Sequence, residues 1–575
     1  MATHKIPNTQ GQVRQTNRGD NFGELWGSYN LDLTSTVGKL KAAKRLKRVL
    51  SNSDLSAFDV VALTLHDGKY YMVTGDEVWS CSVSSDPTAL ASWSMIATLS
   101  IEDVGFESDA VSFNNLLLVS LGTDIMSWNS DSSTKDDDWW TVTTTGTTLT
   151  ANYPHVMHVH RGGQETLFVT DKDKVRYYNT TAGHTAITLH TLQTACAVTS
   201  GVDTVWVGTY TESNDYAYVY EIQVGNTAPT RAYRIDGRAV LSMDVYDNVP
   251  YIVTDRGHIQ AFNGSGFQTV QAFPFAFKGL ALSGVRPGLV QDTSISRPIH
   301  PKGMRVCDDS FFIFVNTENE LSDFSNTVVD ERSPSGMWEY NLATNVLNHR
   351  ASLTDQASDK GVHTLQRTSP VLMVDNQYTK YLVGGEVGGS ASMVGLSGED
   401  LTTAPLAYFT TPFLVSDTVQ ETYEKVVLKA KTLGANESIT VKYRTTEYEP
   451  VYADVTWLNT TQFTTTDSLE SFGEGDEIEI MYGECAGEIA HITTVEGGTT
   501  KTITIDTALT TALNDTSHVR IQNWKKISDT YTSTDGEVKT IGINVTAPWI
   551  QYKVVMRGFI ELRQFISKGN AKNEL

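Results

Sequence analysis

One motif recurs through the first two-thirds of the chain and limits what it can fold into. It is an apolar run centred on valine, a polar turn, then a second strand that often ends in an aromatic. It reads YYMVTGDEVWSCSV, LLLVSLGTDIMSW, TLFVTDKDKVRYYN, TVWVGTYTESNDYAYVYEI, PYIVTDRGHIQAFNG, FFIFVNTENELSDF and KYLVGGEVGGSASMVGL. The aligned valines are Val73, Val119, Val169, Val207, Val253, Val315 and Val383, giving steps of 46, 50, 38, 46, 62 and 68 by subtraction. The first four steps cluster around the roughly 40 to 50 residues of a four-stranded propeller blade. Further apolar stretches, such as RAVLSMDVYDN before a motif and WSMIATLSI after one, supply three to four strands per unit. A blade cannot bury both its faces alone, whereas a closed ring of blades buries them all. Seven blades are counted; six or eight stay open because the last two units are degenerate, and unrelated sandwich hairpins are the competing architecture. The two long steps place loop insertions at about 280 to 302 and 318 to 336, where Pro, Gly and Ser cluster.

The two ends read differently. Residues 22 to 50 hold the densest positive run in the chain, Lys39, Lys41, Lys44, Arg45, Lys47 and Arg48, interleaved with Leu40, Leu46, Val49 and Leu50. This is either an electrostatic docking arm for an acidic partner surface, a second copy of the chain included, or a solvated strand or short helix leading into blade one. From about 405 the blade motif disappears and strict alternation takes over in VVLKAKTLGANESITVKYRTTEYEP and WIQYKVVMRGFIELRQF. On such a strand Ile439, Val441 and Tyr443 share one face, with Thr440, Lys442 and Arg444 on the other. The insert between these halves, rich in strand and turn signals, is long enough for a small β-barrel, and a loop tip of the sandwich tolerates it. The expectation is an all-β chain: an N-terminal arm over 1–54, a β-propeller of about seven blades over 55–404, a β-sandwich over 405–459 and 524–575, and the inserted barrel over 460–523.

Composition excludes several classes. Among 575 residues there are 67 Asp and Glu against 44 Lys and Arg, a net charge of -23. An ordinary nucleic-acid binder needs a basic face to neutralise phosphates. Cys81, Cys196, Cys307 and Cys485 are far apart and lack C-x-x-C spacing, which speaks against a disulfide scaffold or zinc module. The polar N-terminus has no apolar signal region, and no run is long enough for a membrane span, so the chain reads as soluble and not exported by a signal peptide. Six N-x-S/T sequons, at Asn179, Asn263, Asn436, Asn459, Asn514 and Asn544, are what chance gives in so Thr-rich a chain.

Few residues group as chemistry requires. In PHVMHVH, His158 and His160 share a strand face while His155 points away, so at most two could hold a metal together and no further ligand is at hand. The loop DSSTKDDDWW offers Asp131, Asp136, Asp137 and Asp138 as oxygen ligands without the spacing that wraps calcium. Carboxylates for glycan cleavage are plentiful, but sialidase-type aspartate boxes are absent; STDGEVKT at 533–540 lacks the Trp and falls outside the propeller. No G-x-S-x-G elbow, P-loop, H-E-x-x-H or WD-repeat signature occurs. The expectation is therefore no enzyme, with no catalytic, cofactor or metal residues.

The order of parts resembles that of tailed-bacteriophage virion proteins. The arm NFGELWGSYNLDLTSTVGKL leads into V-T-x-x-x-x-x-x-W/Y/F units, then a sandwich carrying a G-D-E-I-E-I…A-H-I-T…I-T-I-D insert. The class it is most similar to is the propeller-containing tail nozzle or tail hub of short-tailed phages. That resemblance implies a structural protein of the virion tail, made in the host cytoplasm and assembled as a homo-oligomeric ring, a hexamer in such nozzles. It also implies adaptor, portal and tail-fibre neighbours, with viral DNA as passing cargo during ejection. Six copies would carry 6 × (-23), about -138, and an acidic lumen would repel phosphates rather than hold them. The same acidity also serves simply to keep an edge-rich β-protein soluble. The alternatives are a virion protein that recognises a surface glycan or decorates the capsid, and a glycan-cleaving propeller enzyme.

Overall fold

The computed structural model describes residues 2–6, 27–48, 60–273, 298–315, 336–351, 365–446 and 451–571, apart from 33–39, 100–108, 388–394 and shorter stretches within these ranges. Seven four-stranded antiparallel sheets follow one another along the chain. Their first strands are Ala62–His66, Ala110–Phe113, Met157–His160, Gln193–Ser200, Val240–Tyr246, Met304–Cys307 and Leu365–Met373. Each first strand packs against the next, and the seventh packs against the first. The ring is therefore a closed seven-bladed propeller with these strands innermost. An apolar layer fills every gap between blades. Tyr71 and Val73 of blade 1 meet Leu117 and Val119 of blade 2, for instance, and Leu372 and Leu382 of blade 7 meet Leu63 and Met72 of blade 1.

The recurring valine is the residue that pins each second strand to the innermost one. Val73, Val119, Val169, Val207, Val253 and Val383 lie opposite Ala62, Ala110, Met157, Val198, Ser242 and Val371. In blade 6 the equivalent residue is Ile313, opposite Met304, two positions before Val315. The hydroxyl residue after the valine is buried because it bonds the start of its own blade. Thr170 Oγ1 accepts the Val156 amide at 2.8 Å and Ser120 Oγ accepts the Asp109 amide at 2.8 Å. Blade 4 shifts this hydroxyl to Thr209, because a Cβ at position 208 would come within 2.6 Å of Val240, and glycine stands there instead. Most of the expected insertions at 280–302 and 318–336 lie outside the described residues.

Beyond the propeller, two sheets form the sandwich. One contains Glu421–Ala430, Val538–Ala547 and Glu561–Ala571; the other contains Leu406–Thr410, Ser438–Arg444, Lys525–Thr532 and Trp549–Arg557. They enclose a core that includes Tyr423, Val426, Ile439, Val441, Tyr552 and Phe565. N-terminal strands complete both sheets: Ala2–Ile6 and Leu40–Ala42 pair with Glu561–Ala571, and Gly27–Tyr29 pairs with Leu406–Thr410. The insert is a closed six-stranded barrel that starts at Val451, ahead of the expected 460, and ends at Gln522. Its first strand, Val451–Asn459, reads as a continuation of the sandwich in sequence because both alternate with period two. The chain is thus all-β: a seven-bladed propeller followed by a β-sandwich interrupted by a small barrel. Among the described residues no helix is long and apolar enough to cross a membrane.

The basic run, read as a docking arm or as a strand leading into blade one, is divided between two sheets. Leu40–Ala42 belongs to the sandwich, where Lys41 lies 3.9 Å from Glu561. Arg45–Arg48 is the fourth, outermost strand of blade 7 and pairs with Gly395–Asp400. The register sets Arg45 opposite Asp400 and Leu46 opposite Glu399. Lys39 and Lys44 lie outside the described residues. Replacing Thr170 by Val strands the buried Val156 amide and should cost about 1–3 kcal/mol. Thr188→Val, at an exposed position of the same blade, should leave stability nearly unchanged in urea unfolding followed by far-ultraviolet circular dichroism.

Candidate functional site on the propeller axis

Burial falls along the innermost strands of blades 5 and 6, while those of blades 1 to 3 are half-buried part-way and end buried at His66, Phe113 and His160. Their first halves are buried in blades 1 to 3, 5 and 6, as at Ala62, Ala110, Met157, Ser242 and Met304. Residues further along are only half-buried: Thr64, Ser112, His158, Ser200, Asp244 and Arg305. Contacts join start to start and end to end, so the strands run the same way around the axis. The lumen is therefore buried where they begin and only half-buried at these residues, a funnel with a polar wall.

Its floor is an ion pair. Lys302, on the approach to the inner strand of blade 6, places Nζ 2.5 Å from Asp109 Oδ2 at the start of blade 2, nearly across the ring. Both side chains are buried. Asp109 Oδ2 also accepts the Met157 amide of blade 3 at 2.7 Å, and Oδ1 accepts the Ala110 amide at 2.7 Å. Beside it, Ser242 Oγ of blade 5 donates to the Pro301 carbonyl at 2.7 Å and accepts the Met304 amide at 3.1 Å. Four blades are thus tied at the axis by polar groups whose partners come from other blades.

Higher in the funnel, Asp244 accepts the Val306 amide at 3.0 Å and the Val245 amide at 2.9 Å. Burial still raises its carboxyl above the ordinary range, against the pull of Arg305. His158 Nε2 of blade 3 lies 2.7 Å from Ser200 Oγ of blade 4. Burial, reinforced by Lys302 and Arg305, pushes that imidazole down to about 3, so it is neutral at physiological pH. His66 Nδ1 lies 2.8 Å from Ser112 Oγ, and burial lowers this histidine too.

The three histidines of PHVMHVH do different things. His155 is buried against the carbonyls of Thr170 and Thr150, at 2.9 and 3.1 Å, and holds the connection into blade 3. His158 lines the funnel, and His160 is buried at the end of the same strand. No three His, Cys, Asp or Glu side chains converge as a metal site among the described residues. In the DSSTKDDDWW hairpin, Asp136 pairs across strands with Ser127, and Asp137 lies 2.9 Å from Lys135. Asp535 of STDGEVKT closes a capping box with Thr532 and binds Lys539 at 2.8 Å.

A second charged cluster joins barrel to sandwich. Glu477 of the barrel receives Lys442 in a close ion pair and lies 3.7 Å from Lys553, both from the sandwich, while His491 stands 3.9 Å away. Arg444 stacks over Trp524 with its guanidinium 4.6 Å from the ring centroid. Burial alone would raise the Glu477 carboxyl, but Lys442 and Lys553 outweigh it and pull it down to about 2. Alternation puts Lys442 on the outer face of its strand, and it is buried there because the barrel covers that face.

No protein-family model matches the chain, and neither does any curated protein sequence. Solved structures similar to it are propellers of varied roles. The WD40 propeller domain of Doa1 is 10% identical, with 63% of this chain and 98% of that one covered at a TM-score of 0.40. Streptogramin B lyase is 10% identical over 62% and 98% of the two chains at 0.37. The computationally designed Ika8 protein is 11% identical over 62% and 99% at 0.35. The assignment of seven blades stands on the strand pairing itself.

Lys302→Met leaves Asp109 buried without its counter-charge and should lower stability by about 3–5 kcal/mol. Lys302→Met combined with Asp109→Leu should recover part of that loss, a comparison that chemical denaturation of the single and double variants makes directly. The barrel junction carries a pH signature. Because the folded Glu477 is held near 2 against an ordinary 4.5, its stabilisation is complete above about 4.5 and is lost as pH falls from there to about 2. Glu477→Gln should flatten this window in an acid titration of tryptophan fluorescence.

Proposed function

We propose that the chain is a structural subunit of a bacteriophage tail, a nozzle or tail-hub component that assembles as a homo-oligomeric ring around the DNA path. The observation that carries this reading is how the polar groups at the axis are used. Asp109, Lys302, Ser242 and Asp244 are occupied in tying blades together, which suits a structural part. Support also comes from the order of parts that the resemblance rests on, and from N-terminal strands laced through both large domains, which suits a subunit that bears mechanical load. The ion pair across the axis has a consequence for the DNA path: a duplex cannot thread the propeller, so it passes between copies, past faces that carry the chain's net charge of -23.

Purified chain mixed with a phage portal and adaptor complex should form a closed ring of copies, visible by electron microscopy, with the passage between copies acidic. Monomers or trimers on tail fibres would favour a receptor-binding role instead. Release of reducing sugar from a host polysaccharide would favour a glycan-cleaving enzyme.

A further inference from the structure

The funnel has more hydrogen-bond donors than acceptors left to offer. Its carboxylates are taken: Asp109 binds Lys302 and the amides of Met157 and Ala110, and Asp244 binds the amides of Val306 and Val245. Arg305 is the opposite case. It sits half-buried on the innermost strand of blade 6, within electrostatic reach of Asp244, and among the described residues its side chain makes one long hydrogen bond, 3.4 Å to the carbonyl of Met304. A guanidinium carries five N–H groups in a planar fork shaped for a carboxylate or phosphate. Arg305 is near enough to His158 of blade 3 for its charge to act on that imidazole, and His158 is bonded in turn to Ser200 of blade 4.

We propose that the funnel binds a small oxyanion, a carboxylate or phosphate group received by Arg305 and steadied by Ser200 and His158. The mouth limits what can enter. Asp67, Asp203 and Asp247 are exposed in the turns that end the inner strands of blades 1, 4 and 5. They repel a polyanion such as a nucleic-acid backbone but oppose a single small anion only weakly at physiological salt. Because the whole chain carries -23, anions are not gathered by its general field, and saturable uptake of one reports a local site.

Isothermal titration of the full chain with inorganic phosphate, and separately with acetate, tests this. Saturable binding of one anion per chain is expected for at least one of them, phosphate alone assigning a phosphate group and acetate alone a carboxylate. Arg305→Met should weaken it by about tenfold or more, and Ser200→Ala by about threefold to tenfold. Arg234→Met, which removes the same charge from the outermost strand of blade 4, should leave it unchanged. Ser200 is small and half-exposed, so its variant keeps the test valid should Arg305→Met fold poorly. The proposal is overturned if neither anion saturates in the millimolar range, if a well-folded Arg305→Met or Ser200→Ala binds like the unmodified chain, or if Arg234→Met weakens binding as much as Arg305→Met.

Discussion

A blade of this propeller is apolar on both faces, and nothing but another blade can cover either one. Val73 and Tyr71 look into one layer while Met72 and Tyr70 look into the next, and the same division repeats around the ring. Partial rings leave two such faces in water, at a cost that grows with every apolar side chain exposed. The last blade must therefore reach the first. Here the link is made by chain from the opposite end of the propeller, because Arg45–Arg48 supplies the outer strand of blade 7 just before the chain enters blade 1.

Ring closure creates the funnel, and the funnel sets the problem of its polar groups. Inner strands converge on an axis too narrow for large apolar side chains from all seven blades, so small and polar residues collect there. Water cannot reach the closed end. Lys302 and Asp109 satisfy each other in that place, and the backbone amides of Met157 and Ala110 take the remaining carboxylate capacity. Further along the lumen Arg305 is half-buried and acts on Asp244 through its charge, with no hydrogen bond to a carboxylate among the described residues. The same rule operates at the barrel junction, where Glu477 is buried with two lysines and the insertion is held at a fixed place on its host.

Much of the architecture could be read from sequence because it rests on local periodicity. The spacing of valines from Val73 to Val253 gives the blade, and alternation in Ile439, Val441 and Tyr443 gives the sandwich. The closed barrel was legible as a unit, though its first strand was not, since Val451–Asn459 alternates as its neighbours do. The axis was far harder to see. Lys302 and Asp109 are 193 positions apart, 302 minus 109, and neither lies in a motif. The PHVMHVH run drew attention to three histidines of which one lines the funnel, while Arg305 and Asp244 look like ordinary strand residues. The one available signal was a charged residue on a strand that is otherwise apolar, as in LSMDVYDN and GMRVCDD.

Sequence alone determined the repeat, its strand content, the acidic excess and the change of pattern near 405, because each depends on neighbours a few residues apart. Tertiary structure decided the partners. It made Arg45–Arg48 the outer strand of blade 7, and it made Lys442 a buried counter-charge. It also turned scattered residues of six blades into one funnel. The reason is the same in each case: a strand's period says which side chains share a face, but what covers that face is set by chain that may lie hundreds of residues away.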